Sequence, residues 1–349
     1  MKNKKTILFV CPYFSSFIKE DIEILSENNI VIINNYNWQN KFLIFSNLFF
    51  QFFSILFKIN RVNIIVVSFG GYWSFFPSLI GKVFKKPVYI ILHGTDCASL
   101  PNLNYGSLRK PILKLFCKIS YRFSFKLLPV SSSLIKVKNT FLADDKYSYQ
   151  GINYFFPNLK INYSVIYNGI DTNFWQNDLS INKVDNSFLA VFSEKQFILK
   201  GGDLIIKIAE KFPEIDFNIV GTYAPSYIKN IPSNVNFLGK LDKNQLKKVY
   251  CNSRYYFQLS IFEGFGCSLA EAMACECIPI GSSVNIIPEI IGDSGKIIQY
   301  KKEDELESVI KNLLTQKDLN KKGQEARIRI LKLYSKEIRK SCLNNELFD

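Results

Sequence analysis

Residues 255–275 read YYFQLSIFEGFGCSLAEAMAC. The first five are aromatic and apolar around a single Gln, the composition of a strand covered on both faces. A glycine turn follows, Gly264-Phe265-Gly266, and Cys267 then heads a run of Leu, Ala and Met with helical character. Strand, glycine turn and helix make the repeating unit of a doubly wound parallel sheet, whose ligands lie beyond the carboxyl ends of the strands. Glycine lets the main chain approach a ligand closely. The N–H groups at the helix start face that ligand, with the positive end of the helix dipole behind them, which suits phosphate or sugar hydroxyls. Two carboxylates flank the turn, Glu263 before it and Glu271 inside the helix. Both can accept hydrogen bonds from a ribose diol or a hexose. The competing reading is a capping turn in which Glu271 is a buried ion-pair partner.

The same alternation extends in both directions. Short apolar runs occur at 6–10, 30–33, 62–67, 88–92, 126–130 and 163–167, and again at 188–192, 216–220, 234–238, 255–259, 277–280 and 296–299, with helical patterns between them. Two such series predict an α/β chain of two doubly wound, Rossmann-like domains facing across a cleft. The expected boundaries are an N-terminal domain over 1–172, a polar linker over 173–187 and a second domain over 188–329. A charged C-terminal helix, 330–349, is expected to complete the first domain.

A glutamate, seven residues and a second glutamate, wrapped around Gly-Phe-Gly and followed by "EAMA" (271–274), resemble the signature of the retaining glycosyltransferases of sequence family four, which have the two-Rossmann fold called GT-B. "VIYNGID" (165–171), "LKGGDLIIKIAE" (199–210) and "IPEIIGDSG" (287–295) are similar to that family's segments in the same order. "GGYWSFFPSLIGKVFKKPVYIILHGTD" (70–96) resembles the N-terminal half of a bacterial surface-polysaccharide branch. The resemblance implies that Glu263 contacts the donor sugar and Glu271 the nucleotide ribose, with Gly264, Phe265, Gly266 and Cys267 lying against sugar and phosphates. It also implies transfer at one face of the anomeric carbon, the leaving phosphate taking the acceptor proton, so that no protein nucleophile is required.

Other residues fit that frame. Lys200, before Gly201-Gly202, suits a diphosphate leaving group. The family usually has an Arg shortly before this lysine; here "FSEKQFILK" offers only Lys195, a point charge without a bidentate fork. His93, the single histidine, ends the run 88–92 and precedes Gly94. The resemblance gives it contact with the donor sugar and polarisation near the reacting centre. Asn168 closes the first domain as a donor-lining turn or as an ordinary turn. Gly70, Gly71 and Tyr72 follow the run 62–67 and are expected on the acceptor side. The loop after the first strand, "CPYFSSFIKED", has no glycine, unlike commoner members. No metal ligand set is expected, because Cys275 and Cys277 lack zinc spacing, and no cofactor beyond the nucleotide-sugar substrate.

Composition sets the outer limits. The chain has 349 residues, 48% of them hydrophobic, enough for two cores. Its formal charge of +14 points to an anionic partner: a phosphorylated ligand, an acidic membrane surface or nucleic acid. No nucleic-acid recognition motif is present, which disfavours the last. Eight cysteines without regular spacing read as reduced thiols in a cytosol. "FLIFSNLFFQFFSILF" (42–57) is short for a membrane span and contains Ser46, Asn47, Gln51 and Ser54. It is read either as a core helix of the first sheet or as a helix lying on a membrane. The expected function is glycosyl transfer from a UDP- or GDP-sugar to a glycan or lipid-linked acceptor, at the cytoplasmic face of a membrane. The alternatives are a nucleotide-sugar epimerase of the same fold and a non-catalytic sugar-nucleotide-binding subunit of a transferase complex.

Overall fold

The apolar runs form two parallel sheets in a computed structural model that describes residues 4–142, 147–160 and 162–348. The chain divides into two units. One comprises Met1–Val137, Tyr149–Gly169 and Glu337–Asp349, the other Lys138–Ser148 and Ile170–Lys336.

The first unit holds β1 (Thr6–Cys11), β2 (Ile30–Asn35), β3 (Ile64–Ser68), β4 (Val88–Leu92) and β5 (Lys126–Pro129), in the order β2-β1-β3-β4-β5. Its helices are α1 (Ser16–Ser26), α2 (Ile44–Lys58), α3 (Tyr72–Val83) and α4 (Pro111–Phe123). β3 and β4 are buried throughout, as continuous Val/Ile runs require when helices cover both faces. The chain runs outward from β1 to β2, then returns to β3 and proceeds the other way. The direction therefore reverses between β1 and β3, the point at which such sheets bind ligands. The run 163–167 is not a strand. It lies extended beside β5, with Ser164 N–H donating to the Leu127 carbonyl (3.0 Å) and Ile166 N–H to that of Pro129 (3.0 Å).

Two-residue strands β6 (Val137–Lys138) and β7 (Tyr149–Gln150) and the short α5 (Ile152–Phe155) follow. The second unit then builds β8 (Val184–Val191), β9 (Asp216–Val220), β10 (Val235–Phe237), β11 (Ser253–Gln258), β12 (Ile278–Ser282) and β13 (Lys296–Ile298), in the order β10-β9-β8-β11-β12-β13. Here the direction reverses between β8 and β11. Phe188, Phe217, Tyr255 and Phe257 stack across the sheet at centroid distances of 4.4–6.2 Å. Its helices are α6 (Gly202–Ala209), α7 (Lys243–Asn252), α8 (Cys267–Ala274), α9 (Ile287–Ile291), α10 (Glu303–Leu314) and α11 (Leu319–Tyr334). α7 starts at a capping box. Asp242 Oδ1 accepts from Gln245 N–H (2.9 Å), and Gln245 Oε1 accepts from Asp242 N–H (3.0 Å).

Two further stretches bear on their sequence reading. Residues 173–187, expected as a linker, cluster with the second unit, and Val184–Ser187 begin β8, whose polar start is anchored when Asp185 pairs with Arg254. α2 is not a core helix: along it only Asn47, Gln51 and Ile55 are buried.

The last helix, α12 (Lys336–Phe348), belongs to the first unit from Glu337 onward, whereas α11 stays with the second. Arg339 fixes it there. Its Nε and Nη2 donate to the two carboxylate oxygens of Asp21 (2.6 and 2.7 Å), and Nη1 donates to the Ile166 and Tyr167 carbonyls (3.1 and 2.6 Å). Both side chains are buried, so the bidentate geometry and the extra carbonyls offset the desolvation of the two charges.

Candidate functional site

In the second unit, the two strands flanking the reversal point each end in a glycine-started helix. After β8 the chain makes a 3-10 turn, Glu194–Gln196, and reaches Lys200 and then Gly201 at φ +78° before α6. A Cβ at Gly201 would stand 2.6 Å from the Leu259 carbonyl oxygen, so this loop touches the chain leaving β11. After β11 comes Glu263, then Gly264-Phe265-Gly266, with Gly266 at φ +98° as the cap of α8. A left-handed residue before each helix turns the chain sharply enough to aim the first N–H groups outward.

Glu263 is the hub of the loop. Its Oε2 pairs with Lys200 Nζ and also accepts from Gln258 Nε2 (2.7 Å) and Ser260 Oγ (3.3 Å). Its Oε1 accepts from Gly264 N–H (3.2 Å). Its own N–H donates to Asn285 Oδ1 (3.3 Å), and Asn285 is fixed by paired bonds with Asn139 (3.0 and 3.1 Å). The carboxylate and the ammonium are both mostly shielded, so the pair is worth more than a surface ion pair. Glu271 lies half-buried on α8 and accepts a long bond from Tyr250 Oη (3.4 Å). Burial, and then the Glu271 carboxylate, hold the Tyr250 phenol well above its ordinary range, so it stays a donor.

The remaining second-unit residues divide. Cys267 is the first residue of α8 and half-exposed. Phe265 is turned inward, edge-on to Tyr334 at 5.5 Å, so only its main chain is left for a ligand. Lys195 is exposed on the 3-10 turn and is not among the groups bonded to Glu263.

The first unit assembles a second cluster at its own reversal point. Asp96, fully buried, ties three main-chain N–H groups together: Gly70 (2.9 Å), His93 (3.1 Å) and Gly94 (2.9 Å). Burial raises its carboxyl to about 6 despite these bonds. His93 Nε2 bonds Ser68 Oγ (2.9 Å), while Nδ1 is buried without a partner among the described residues. The ring lies against Phe69 (4.3 Å) and Phe17 (4.7 Å). Burial, followed by the Arg339 charge, pushes the imidazole well below its ordinary range, so it is neutral. Phe69 itself sits at φ +63°, which a bulky residue rarely adopts. Gly70 has no room for a side chain: a Cβ would meet Tyr121 Oη at 2.1 Å. Tyr72 begins α3, with its ring edge-on to Phe116 at 5.0 Å. Asn168 is buried near the end of the segment Tyr149–Gly169.

Sequence reasoning missed Gln258, Ser260, Asn285 and Asp96. Gln258 had a signal, a polar residue inside an apolar strand. Among the described residues no group of three or more His, Cys, Asp or Glu side chains is arranged to hold a metal ion.

Residues 173–329 match the family described as Glycosyl transferases group 1. The chain is 33% identical over 63 residues to O-antigen chain mannosyltransferase B of Escherichia coli, which covers 18% of this chain and 16% of that protein. It is 27% identical over 164 residues to the phosphatidylinositol N-acetylglucosaminyltransferase gpi3 subunit of Schizosaccharomyces pombe, covering 44% of this chain and 36% of that one. The matched segments thus span about a third or less of these relatives, which come from bacteria and eukaryotes alike. In structure it resembles the HepE protein of Anabaena solved with UDP and glucose, with a TM-score of 0.70, 14% identity and coverage of 97% and 98% of the two chains. The two parallel sheets, each between helices, are therefore the two Rossmann-like domains of a GT-B fold, and the second contains the segment that matches the group 1 glycosyl transferases.

Proposed function

We propose that the protein is a retaining glycosyltransferase that moves a sugar from a nucleotide-sugar donor to a glycan or lipid-linked acceptor. The observation that carries this reading is the Lys200–Glu263 pair at the reversal point of the second sheet, between two glycine-started helices and inside the family match. In this reading the α6 and α8 starts and Lys200 meet the negative charge that builds on the departing diphosphate. Glu263 holds the sugar, and Glu271 accepts from the ribose. The leaving phosphate takes the acceptor proton, so no side chain acts as nucleophile. The first unit supplies neutral His93 as a polar contact to the donor sugar, with Gly70, Gly71 and Tyr72 on the acceptor side. The relatives' names mention an O-antigen chain and a phosphatidylinositol, which supports an acceptor of surface-glycan or lipid-linked type and peripheral attachment to the cytoplasmic face of a membrane.

The test is a screen of UDP-, GDP- and other nucleotide-sugars for thermal stabilisation and for slow donor hydrolysis, with and without a chelator. A single nucleotide class should stabilise the protein, and turnover should persist in excess EDTA, because Lys200 and the helix starts neutralise the phosphates. Loss of turnover with EDTA and rescue by magnesium or manganese would overturn the metal-free step. A failure of every nucleotide-sugar to stabilise or react would overturn the assignment.

A further inference from the structure

α2 is built inside out. Its buried stripe, Asn47, Gln51 and Ile55, recurs every turn, and the two polar members bond inward. Asn47 Nδ2 donates to the Asn37 carbonyl (2.9 Å), and Gln51 Nε2 to Asn34 Oδ1 (3.1 Å) and the Trp73 carbonyl (3.0 Å). The outward face is phenylalanine: Phe42, on the turn entering the helix, Phe45 and Phe57 are 94%, 85% and 80% exposed, and Phe49 is exposed beside them. A helix on a water-facing surface has the opposite arrangement, apolar inward and polar outward. α2 lies on α3 and α3 on α4, and these add exposed Val83, Phe84, Ile112 and Leu115.

The charge of the chain is gathered in the same stretch. Residues 28–143 contain fourteen Lys and Arg but a single acid, Asp96, which is buried. Thirteen of the fourteen net positive charges thus fall here, although along the sequence they look scattered. At the start of α2 the cations crowd: burial first, then Arg109 and Lys41, push the Lys110 ammonium down. Lys58 and Arg61 close the other end of α2, and Lys82 and Lys85 lie at the end of α3.

We propose that the outer faces of α2, α3 and α4 form one docking surface for an anionic lipid bilayer. α2 lies in the plane of the interface, its phenylalanines among the upper acyl chains and the lysines and arginines on lipid phosphates. The charge selects this occupant, because a second copy of the chain would bring an equally positive face against it. The segment Lys41–Arg61 is long and apolar enough to cross a membrane. A crossing helix, however, would have to withdraw Asn47 and Gln51 from their bonds to the first unit and leave them unsatisfied in hydrocarbon. This inference deepens the peripheral attachment proposed above and rests on it for the place of action. It is read by binding alone, so its failure leaves the glycosyl-transfer reading intact.

The experiment is flotation of the full chain with phosphatidylglycerol–phosphatidylcholine vesicles and with phosphatidylcholine alone, at low and high salt. The wild type should bind the anionic vesicles, at least about tenfold less at high salt, and should ignore the neutral ones. The triple variant Phe42→Gln/Phe45→Gln/Phe57→Gln, exposed at all three positions, should melt as the wild type does and lose at least about tenfold in binding. Lys41→Gln/Lys110→Gln should lose about fivefold per cation. Unchanged binding by the phenylalanine variant would overturn the surface while leaving peripheral attachment standing. No wild-type binding at low salt would overturn both. Retention on membranes after alkaline carbonate would replace the in-plane helix by a span, and a self-association that the phenylalanine variant abolishes would replace the bilayer by a second copy.

Discussion

Glu263 and Glu271 were separable from the sequence by position, one before a glycine turn and one inside a helix, and the structure gives them unlike surroundings. Glu263 takes an ammonium, an amide, a hydroxyl and a main-chain N–H, whereas Glu271 accepts a long bond from the Tyr250 phenol. If one serves the sugar and the other the ribose, their variants should fail differently. Glu263→Gln is expected to lower turnover by about tenfold to a hundredfold, the range of a charge-assisted hydrogen bond, and His93→Ala by about twofold to tenfold, the range of a neutral one, with the affinity for bare nucleoside diphosphate nearly kept in both. Glu271→Ala should weaken that affinity by about tenfold to a hundredfold. Steady-state kinetics beside calorimetric titration with the diphosphate separates the two, and an unmoved affinity in a folded Glu271→Ala protein removes the ribose role. What the sequence could not reveal were the partners. Gln258 reaches Glu263 only because the turn doubles back, and Asp96 meets the Gly70 N–H, 26 residues away, only because β3 and β4 pair in one register.

At the scale of elements, the two helix starts are alike in form and unlike in tolerance. Gly266 and Gly201 both need a left-handed conformation, worth about 1–2 kcal/mol to any residue with a Cβ. Around Gly266 the nearest atom to such a Cβ is 3.5 Å away, whereas at Gly201 the Leu259 carbonyl is at 2.6 Å. Gly266→Ala should therefore destabilise by about 1 kcal/mol, and Gly201→Ala by clearly more, as read in denaturant unfolding. Equal losses would mean that the loops adjust together. Strands were the legible elements, since an apolar run bounded by Gly, Pro or Asn has few other uses in a chain of this kind. The start of β8 was not, because Val184–Ser187 lie at an exposed strand end where polar residues are tolerated. Nor was the orientation of α2 legible: its periodicity locates two faces, but composition alone would turn the phenylalanines inward. The bonds of Asn47 and Gln51 to residues of other elements decide the matter.

For the molecule as a whole, the two-sheet architecture could be read almost entirely from alternation, and the return of the C-terminal helix to the first unit was expected, but the residue at which the chain passes between the units, Glu337 rather than Ile330, was not legible. That boundary depends on single side chains such as Arg339, which looks in sequence like any charged residue of a helical tail. Arg339→Ala would leave Asp21 charged and buried without its partner, and should destabilise the first unit by about 3–5 kcal/mol. Hydrogen exchange at Ile7–Val10 of β1 should accelerate accordingly, while amides of β11 keep their protection. The double variant Asp21→Leu/Arg339→Leu should recover much of the loss, because an apolar pair of similar volume removes the stranded charge. Equal acceleration in both sheets would mean that the units unfold as one.

The Asp21–Arg339 pair also bears on how the protein is made. Domains commonly finish folding in the order in which they leave the ribosome. Here Asp21 waits for a partner 318 residues later, a delay of some tens of seconds at ordinary synthesis rates. The second unit's sheet is complete on the nascent chain before that guanidinium appears, so the first unit is expected to close after the second.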